Sequence, residues 1–303
     1  MKNFYKIILL LLSILTQSLS LHAQTLVSNP SLVGKQVDLW RKKHPRQEAL
    51  TILSYNILRG MERDTSQGKN IYTDWLEKKD IDILVIQETA KTTEQDLATL
   101  AKNYHHKYIT LLKENSYSLA ITSKYPIEQI KKQTQGMHHG FISCYIHGYR
   151  LLNTHLSPFS YEKRRVEMDT ILKEIGSGNS QEKWIVLGDF NSISPLDSAL
   201  YLNSDSYLNN MKNLAKKYSS HDNLIDGDKL DFEVHQKILH ADWVDALHAF
   251  NSKYIITRPA RIDFIYLSND LKNKILDAKI VIDDFTKKYS DHYPIYLALD
   301  TNN

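Results

Sequence analysis

Five short polar motifs stand in this chain at the ends of apolar runs. They are Ser54-Tyr55-Asn56, Gln87-Glu88, Asn153-Thr154-His155, Gly188-Asp189-Phe190-Asn191 and Ser290-Asp291-His292. Amides, carboxylates and imidazoles placed where strands stop are the groups an enzyme needs to hold a divalent cation and cleave a phosphate ester. The ordered set indicates this chemistry more strongly than any single motif does.

Two of the motifs carry oxygen ligands suited to a hard metal ion. Asn56 follows one apolar run, and Glu88 follows the next, which spans Ile83 to Gln87. A carboxylate and an amide oxygen, with water completing the shell, suit Mg²⁺, which prefers oxygen and keeps much of its hydration. Taken alone, Gln87-Glu88 would more often be a solvated surface charge after a strand.

The glycine-containing motif places two polar side chains one residue apart. On an extended backbone, Asp189 and Asn191 point to the same side, while Phe190 points into the core. Gly188 is expected to let the chain turn and a phosphate approach closely. The alternative is a turn in which Asp189 and Asn191 only bond nearby amides.

Asp263 lies inside an apolar run, so its carboxylate needs a partner, because burying an unpaired charge is costly. His292, just before Pro294 and the last apolar strand, is a suitable partner. Such a pairing fixes the imidazole tautomer and raises the basicity of the other nitrogen. His155 stands in a similar position after Thr154, where either a structural or a catalytic role fits.

Length and composition favour one large globular domain, because 303 residues with 42% hydrophobic content can bury a sizeable core. Residues 1–23 are typical of an export signal: two lysines precede an apolar core at Ile7 to Leu15, and Leu21-His22-Ala23 is a plausible cleavage site. We expect the mature protein to begin near Gln24 and to be periplasmic or extracellular. Residues 24–48 are then an N-terminal extension, and residues 49–303 the catalytic domain.

The charge and the cysteine count restrict the function further. Removing the signal takes away two lysines and no acids, so the formal charge falls from +3 to +1. A nearly neutral protein has little global attraction for nucleic acid or anionic lipid. Cys144 is the only cysteine, which excludes an intramolecular disulfide, and its apolar surroundings predict a buried core residue.

Strands and helices alternate along the chain, which favours an α/β sandwich with substantial antiparallel pairing. Helices are predicted in the stretch that ends at Glu77, near Thr92 to Asn103 and from Tyr161 to Ile175. The polar region from Ser194 to His240 is the expected place for substrate-specific elaboration. Strands are predicted at Thr51 to Tyr55, Ile83 to Ile86, Tyr108 to Leu112, Ser118 to Thr122, Ile127 to Lys132, Gly140 to Ile146, Tyr149 to Asn153, Trp184 to Leu187, Ile262 to Leu267, Ile280 to Ile282 and Ile295 to Leu299.

Together with Arg261-Ile262-Asp263-Phe264-Ile265, these motifs resemble, in their order, the endonuclease/exonuclease/phosphatase family, or DNase I-like superfamily, from Thr51 to Leu299. The resemblance implies a four-layer α/β sandwich with two central mixed, largely antiparallel β-sheets flanked by helices. It also implies Mg²⁺ or Mn²⁺ bound chiefly by Glu88 with Asn56, helped by Asp291.

The resemblance assigns roles to the remaining polar residues. His292, oriented by Asp263, would activate the attacking water. Asp189 and Asn191 would position that water and a phosphate oxygen. His155 would steady charge on the phosphoryl group or the leaving oxygen.

Tyr117 and Arg261 are the residues predicted to contact the substrate. One departure from the family pattern concerns the first of them. Many members carry a Glu-Gly pair before Ala-Ile-Leu-Ser, whereas Tyr117-Ser118 precede Leu119 to Ser123 here. The carboxylate that would pair with His155 is therefore absent from that position.

These observations predict an exported, metal-dependent phosphohydrolase, monomeric and without an obligate protein partner, acting on a small molecule, a lipid head group or nucleic acid. A secreted nuclease is the alternative, with a basic groove drawn from Lys163, Arg164, Arg165, Arg258, Lys287 and Lys288. A non-catalytic binding module is disfavoured, since Glu88, Asp189 and His292 are all present. A zinc hydrolase is disfavoured because no His-Glu-x-x-His spacing occurs, and His105-His106 and His138-His139 would diverge on a strand.

Overall fold

The computed structural model describes residues 49–176, 182–203, 205–254, 256 and 259–302. Twelve strands occur in this part of the chain: β1 (Ala49–Asn56), β2 (Ile83–Gln87), β3 (Tyr108–Leu111), β4 (Leu119–Ser123), β5 (Glu128–Gln133), β6 (Gly140–Ile146), β7 (Tyr149–His155), β8 (Trp184–Asp189), β9 (Trp243–Asp245), β10 (Asp263–Ser268), β11 (Ile275–Ile280) and β12 (Ile295–Asp300).

The α-helices of the described residues are α1 (Asn70–Lys79), α2 (Glu94–Asn103), α3 (Tyr161–Gly176), α4 (Ser198–Leu202), α5 (Asp205–Lys217), α6 (Glu233–His240), α7 (Ala246–Phe250) and α8 (Asp284–Tyr289). Short 3₁₀ turns lie at Gln67–Lys69, Pro195–Asp197 and Asn269–Lys274, and a distorted helical turn at Leu58–Met61.

The strands form two six-stranded mixed sheets. The first has the order β11-β12-β1-β2-β4-β3, and the second has the order β5-β6-β7-β8-β10-β9. In each sheet one central pair is parallel, β1 with β2 and β7 with β8, and the other neighbours are antiparallel. Both parallel pairs therefore end at one edge of their sheet, where polar residues from successive strands can meet.

Side-chain alternation decides which face of each strand meets which layer. In β1, Leu50 and Ile52 belong to the apolar core that contains side chains of both sheets, whereas Leu53 and Tyr55 pack with residues of the neighbouring helices. Cys144 lies in that same central core and is fully buried, as its surroundings predict.

Helices cover the outer faces of both sheets. Trp75 of α1, Leu97 of α2 and Phe285 of α8 pack on the first sheet. Met168 of α3 and Ile238 of α6 pack on the second. The four layers are therefore helix, sheet, sheet and helix, which confirms the predicted sandwich.

Most predicted elements are present within a few residues of their expected bounds. The strand expected at Ile280 to Ile282 lies earlier, at Ile275–Ile280. These residues are the ones that pair with β12, and the pairing contains a register shift between Ile275 and Asp277. The three-residue strand β9 was not predicted, since it is too short to show alternation. The export signal and the N-terminal extension expected at residues 24–48 lie outside the described residues. No helix in the part of the chain described is long and apolar enough to cross a bilayer.

Candidate active site

Three of the predicted side chains stand in one row across the second sheet. His155 of β7 and Asp263 of β10 are the direct cross-strand neighbours of Asp189 in β8. Directly opposed residues project from the same face of a sheet. The strand pairing alone therefore brings an imidazole and two carboxylates together from three distant parts of the sequence.

The first sheet contributes Asn56, at the end of β1, and Glu88, one residue after β2. The Ser290 hydroxyl donates a hydrogen bond to the Asn56 carbonyl at 2.8 Å and accepts one from the His292 amide at 3.1 Å. The Ser-Asp-His loop is thereby fixed to the end of β1, which places His292 over the row of the second sheet.

Asp263 and His292 form the predicted pair. The His292 Nδ1 lies 2.7 Å from Asp263 Oδ2, and its Nε2 lies 3.8 Å from Asp189 Oδ2. Burial disfavours the charged imidazole, but the carboxylates of Asp263 and Asp189 outweigh burial and raise the pKa of His292 to about 10. The free Nε2 faces the row, where a proton can be taken or given.

Asp189 is fixed from two sides. The Asn191 amide donates to its Oδ1 at 2.9 Å, and the Asn56 side-chain nitrogen donates to its Oδ2 at 3.0 Å. Burial raises the pKa of Asp189 above its ordinary value, although His292 and these donors act in the opposite direction.

Asn191 belongs both to a turn and to the candidate site, the two alternatives considered for its motif. Its backbone is left-handed, with φ 47°, and its Nδ2 donates to the Leu156 carbonyl at 3.0 Å. The residue therefore closes a turn after β8 while it lines the cavity beside His292. Phe190 is fully buried, as predicted.

Gly188 has a structural requirement that its motif does not show. A Cβ at this position, where φ is 139°, would lie 1.9 Å from the Thr154 carbonyl oxygen of the neighbouring strand. The close approach of β7 and β8 therefore requires glycine here, and the approach of a phosphate at this residue stays a prediction.

His155 has a different environment from the one expected. Its Nε2 lies 3.3 Å from Asp189 Oδ2, so a carboxylate does face it, although none comes from the Tyr117-Ser118 position. The ring of His139 stacks on it with 4.0 Å between centroids. Burial is the main cause that lowers the pKa of His155 to about 3, and His292 adds to the effect.

The expectation that the side chains of His138 and His139 diverge was wrong. They lie in the turn before β6, and their rings contact each other edge to face with centroids 4.4 Å apart. The His139 Nδ1 lies 3.4 Å from the Tyr117 carbonyl. His139 therefore fills the space beside His155, and sequence spacing alone gave no sign of it.

The two predicted substrate residues differ in the structure. The Tyr117 side chain is half exposed, and its contact with substrate stays a prediction. Arg261 is a correction: it lies in the cavity wall, but its guanidinium is buried and bonded to Asp197 and Asp245. These bonds hold the wall of the cavity together, and the two carboxylates already neutralise the charge of the guanidinium.

Asn56 lies between two carboxylates. Its Oδ1 accepts a hydrogen bond from the Leu58 amide at 3.1 Å, and its side-chain nitrogen faces Glu88 Oε1, at 3.1 Å, and Asp189. In this arrangement Asn56 orients both carboxylates, and its contribution of a ligand oxygen to a metal stays a prediction.

The remaining donors fit a hard divalent cation. Glu88 and Asp291 offer carboxylate oxygens, and Asp189, Asp263 and His292 place one ligand atom each within 4.8 Å of one another. The Asp263 Oδ1 is buried and has no hydrogen-bond partner among the described residues. A concentration of buried negative charge with an unsatisfied oxygen is the environment that a cation stabilises. Asp291 is exposed.

A cavity of about 550 Å³ opens beside the pair. Asn191, Asp263, Asp291 and His292 line it together with side chains of the segment before α6. Its size is within the range of sites for small organic ligands.

Three solved structures illustrate the likeness of this fold to known proteins. An AP endonuclease from Archaeoglobus fulgidus is 18% identical, with a TM-score of 0.59 over 84% of this chain and 100% of that chain. The 3′ phosphatase NExo from Neisseria bound to a product DNA hairpin is 16% identical, with a TM-score of 0.57 over 83% and 99%. A 3′-5′ exonuclease from Neisseria meningitidis is 17% identical, with a TM-score of 0.58 over 83% and 100%.

No curated protein matches the sequence significantly. The model of the endonuclease/exonuclease/phosphatase family matches residues 53–292, which include all the site residues named above. The members of that family are metal-dependent phosphoester hydrolases. By this match the chain belongs to the endonuclease/exonuclease/phosphatase family.

Proposed function

We propose that this phosphoester hydrolase is exported and uses Mg²⁺ or Mn²⁺ to cleave a small phosphodiester or phosphomonoester. The observation that carries the proposal is the Asp263–His292 pair, whose free Nε2 points toward Asp189 at the wall of a ligand-sized cavity. The cleavage of a phosphate ester depends mainly on positioning and on electrostatic stabilisation, and this arrangement offers both.

In the proposed reaction, His292 in its neutral form takes a proton from water at Nε2. Asp263 holds Nδ1 and stabilises the imidazolium that forms. Asp189, fixed by Asn56 and Asn191, orients the water for in-line attack. His155, kept neutral by burial, donates a hydrogen bond from a ring N–H to the oxygen on which charge develops.

Glu88 is the main residue that would hold the metal, with Asp291 nearby in the Ser-Asp-His loop. A divalent cation held there would supply positive charge to offset the carboxylates around His292 and to polarise the phosphate. The oxygens of Glu88 are oriented for this purpose by the Asn56 side chain and by the Arg59 amide at 3.1 Å.

A small substrate is favoured over a polymer because part of the predicted basic groove is bonded or buried, which leaves Lys287 and Lys288 as its exposed members among the described residues. Arg165 pairs with Asp231 and Glu233, Lys163 bonds the Gly136 carbonyl, and Arg164 is buried. Arg258 lies outside the described residues. Nucleic acid is the second candidate, because the similar structures named above include a phosphatase bound to a DNA hairpin.

A substrate panel tests both candidates. Purified protein is incubated with bis(p-nitrophenyl) phosphate, p-nitrophenyl phosphate, phosphoinositides, sphingomyelin, DNA and RNA, each with Mg²⁺ and with excess EDTA. We expect turnover of a small or lipid-linked ester that EDTA abolishes. Activity confined to DNA or RNA would establish the nuclease instead, and full activity in EDTA would refute the metal requirement.

Export is proposed from the sequence of residues 1–23. Fractionation of native cells followed by N-terminal sequencing is expected to give a protein that starts near Gln24 and lies outside the cytoplasm. An intact Met1 in the cytosolic fraction would contradict this location.

A further inference from the structure

Two arginines stand in the wall of the cavity that holds Asp263 and His292, and they differ in their pairing. Arg261 lies 2.8 Å from a carboxylate oxygen of Asp197 and 2.6 Å from one of Asp245. Arg164 has no carboxylate oxygen within ion-pair distance among the described residues, although only 3% of its surface is exposed. Its positive charge therefore lacks a direct counter-charge.

The hydrogen bonds of Arg164 leave most of its donors unused. Both bonds come from Nη1, to the Ser157 carbonyl at 3.0 Å and to the Asn223 Oδ1 at 2.7 Å. Its Nε is buried and has no partner in the described part of the chain. A guanidinium carries five N–H donors, and neutral acceptors at one nitrogen do not offset its buried charge.

The acidic residues that act on Arg164 lie beyond ion-pair distance of it and make other bonds. The Glu167 carboxylate accepts the backbone amides of His138 and Ser157, and the Asp231 Oδ1 accepts Arg165, while the Asp231 Oδ2 is buried without a hydrogen-bond partner among the described residues. Burial lowers the pKa of Arg164, whereas Asp245 and Asp197 outweigh burial and raise that of Arg261. The same wall thus contains one satisfied arginine and one that is short of an anion.

We propose that Arg164 binds a phosphate oxygen of the substrate from the wall of this cavity. The inference rests on the proposed function and extends it, because it assigns a binding residue that neither the motifs nor the row of carboxylates identified. Guanidinium groups bind phosphate through parallel N–H bonds, which suits a buried arginine with unused donors. The oxygen belongs either to the reacting phosphate or to a second phosphate on the same molecule.

The test measures anion binding separately from turnover. Isothermal titration of wild type, Arg164→Gln and Arg164→Lys with inorganic phosphate and with fructose 1,6-bisphosphate is carried out in EDTA and again in Mg²⁺. Lys163→Gln is the matched control, since it removes one charge from the adjacent position on α3 outside the cavity lining. We expect Arg164→Gln to weaken binding at least tenfold and Lys163→Gln to leave it unchanged.

The two anions identify which phosphate is bound. An equal loss of affinity for both anions would show that Arg164 binds the reacting phosphate. A loss of affinity for the bisphosphate alone would show that Arg164 binds a second phosphate. Unchanged affinity of Arg164→Gln for both anions, or no measurable binding of either to the wild type, would overturn the proposal. Arg164 would then serve only to hold the Ser157 and Asn223 loops.

Two further outcomes are distinguishable. If Arg164→Gln does not fold, Arg164→Lys decides the matter, because it keeps the charge but lacks the guanidinium fork. A folded lysine variant, verified by circular dichroism, must then bind phosphate more weakly, and unchanged affinity refutes the site. A protein that loses phosphate affinity on substitution of Arg164 yet hydrolyses no ester would refute the proposed function and retain this site.

Discussion

Asp263→Asn is expected to lower kcat by roughly 10²- to 10⁴-fold, because Asp263 and His292 act as one general base in the proposed reaction. At 1.36 kcal/mol per factor of ten, this loss corresponds to about 3–5 kcal/mol of activation free energy. The structure supports so large a value: the two side chains are 2.7 Å apart, and 10% of the Asp263 side chain is exposed. An asparagine there can turn its NH₂ toward Nδ1 and favour the wrong tautomer.

The same substitution has a spectroscopic consequence. Asp263 is the leading cause that raises the pKa of His292 to about 10, against the opposing effect of burial. NMR titration of labelled histidine in the metal-free protein should therefore show that the pKa of His292 falls markedly in Asp263→Asn. An unchanged pKa would mean that the pair does not share a proton in the manner described.

The coupling is measured by a double-mutant cycle on bis(p-nitrophenyl) phosphate with Mg²⁺. His292→Ala alone should cost about as much as Asp263→Asn, and the double variant should cost little more than the worse single one. His105→Ala is the control, since that side chain is 67% exposed and pairs with Glu77 away from the site. Losses that multiply would refute the coupling, and near-normal turnover in His292→Ala would refute the mechanism.

Three further expectations concern the metal, acid stability and strand packing. Glu88→Gln should keep the fold and raise the Mg²⁺ concentration needed for half-maximal activity, and an unchanged metal titration would exclude Glu88 as the main ligand. Burial lowers the pKa of His106 from 6.5 to about 4. The contribution of His106 to the free energy of unfolding is therefore fully present above pH 6.5, and about 3 kcal/mol of it is lost as the pH drops to 4. Urea titrations at pH 7 and pH 4.5 should show a smaller pH effect in His106→Gln, and equal effects would disprove this assignment. Gly188→Ala should lower the melting temperature by far more than Gly148→Ala, because a Cβ at Gly188 meets the Thr154 carbonyl whereas a Cβ at Gly148 meets no atom within 4 Å.

The fold and the contact between Asp263 and His292 were predictable because both depend on patterns local in the sequence. Apolar runs of strand length give the sheets, and a charged residue inside such a run, as at Asp263, must find a partner. His292 was identified from its motif, and the structure places it at 2.7 Å.

The features that the sequence did not show concern groups whose surroundings depend on a partner distant in sequence. An amide both donates and accepts, and the partners of the Asn56 side chain are the Leu58 amide and the carboxylates of Glu88 and Asp189. Gly188 is required by the carbonyl of another strand. Likewise, two adjacent arginines on α3 differ completely, since Arg164 faces inward and Arg165 reaches acids at the surface.

The site depends on contacts between the two sheets as much as on either sheet alone. Gln87 of the first sheet donates to Asn153 of the second at 2.9 Å, and both side chains are fully buried. One layer nearer the edge, the Asn56 amide joins Glu88 to Asp189, one carboxylate from each sheet. Three of the five motifs thus contain an amide that fixes one sheet to the other, beside residues of the candidate active site.

This arrangement accounts for motifs that combine amides with acids. A carboxylate that holds a metal and a carboxylate that orients water must stay in register to within a fraction of an ångström, although they belong to different sheets. Apolar packing between sheets is not directional, whereas a buried amide bonded on both sides admits one separation and one orientation. The cross-sheet amides therefore fix the positions of the two sheets relative to each other, and with them the positions of the carboxylates on which the proposed catalysis depends.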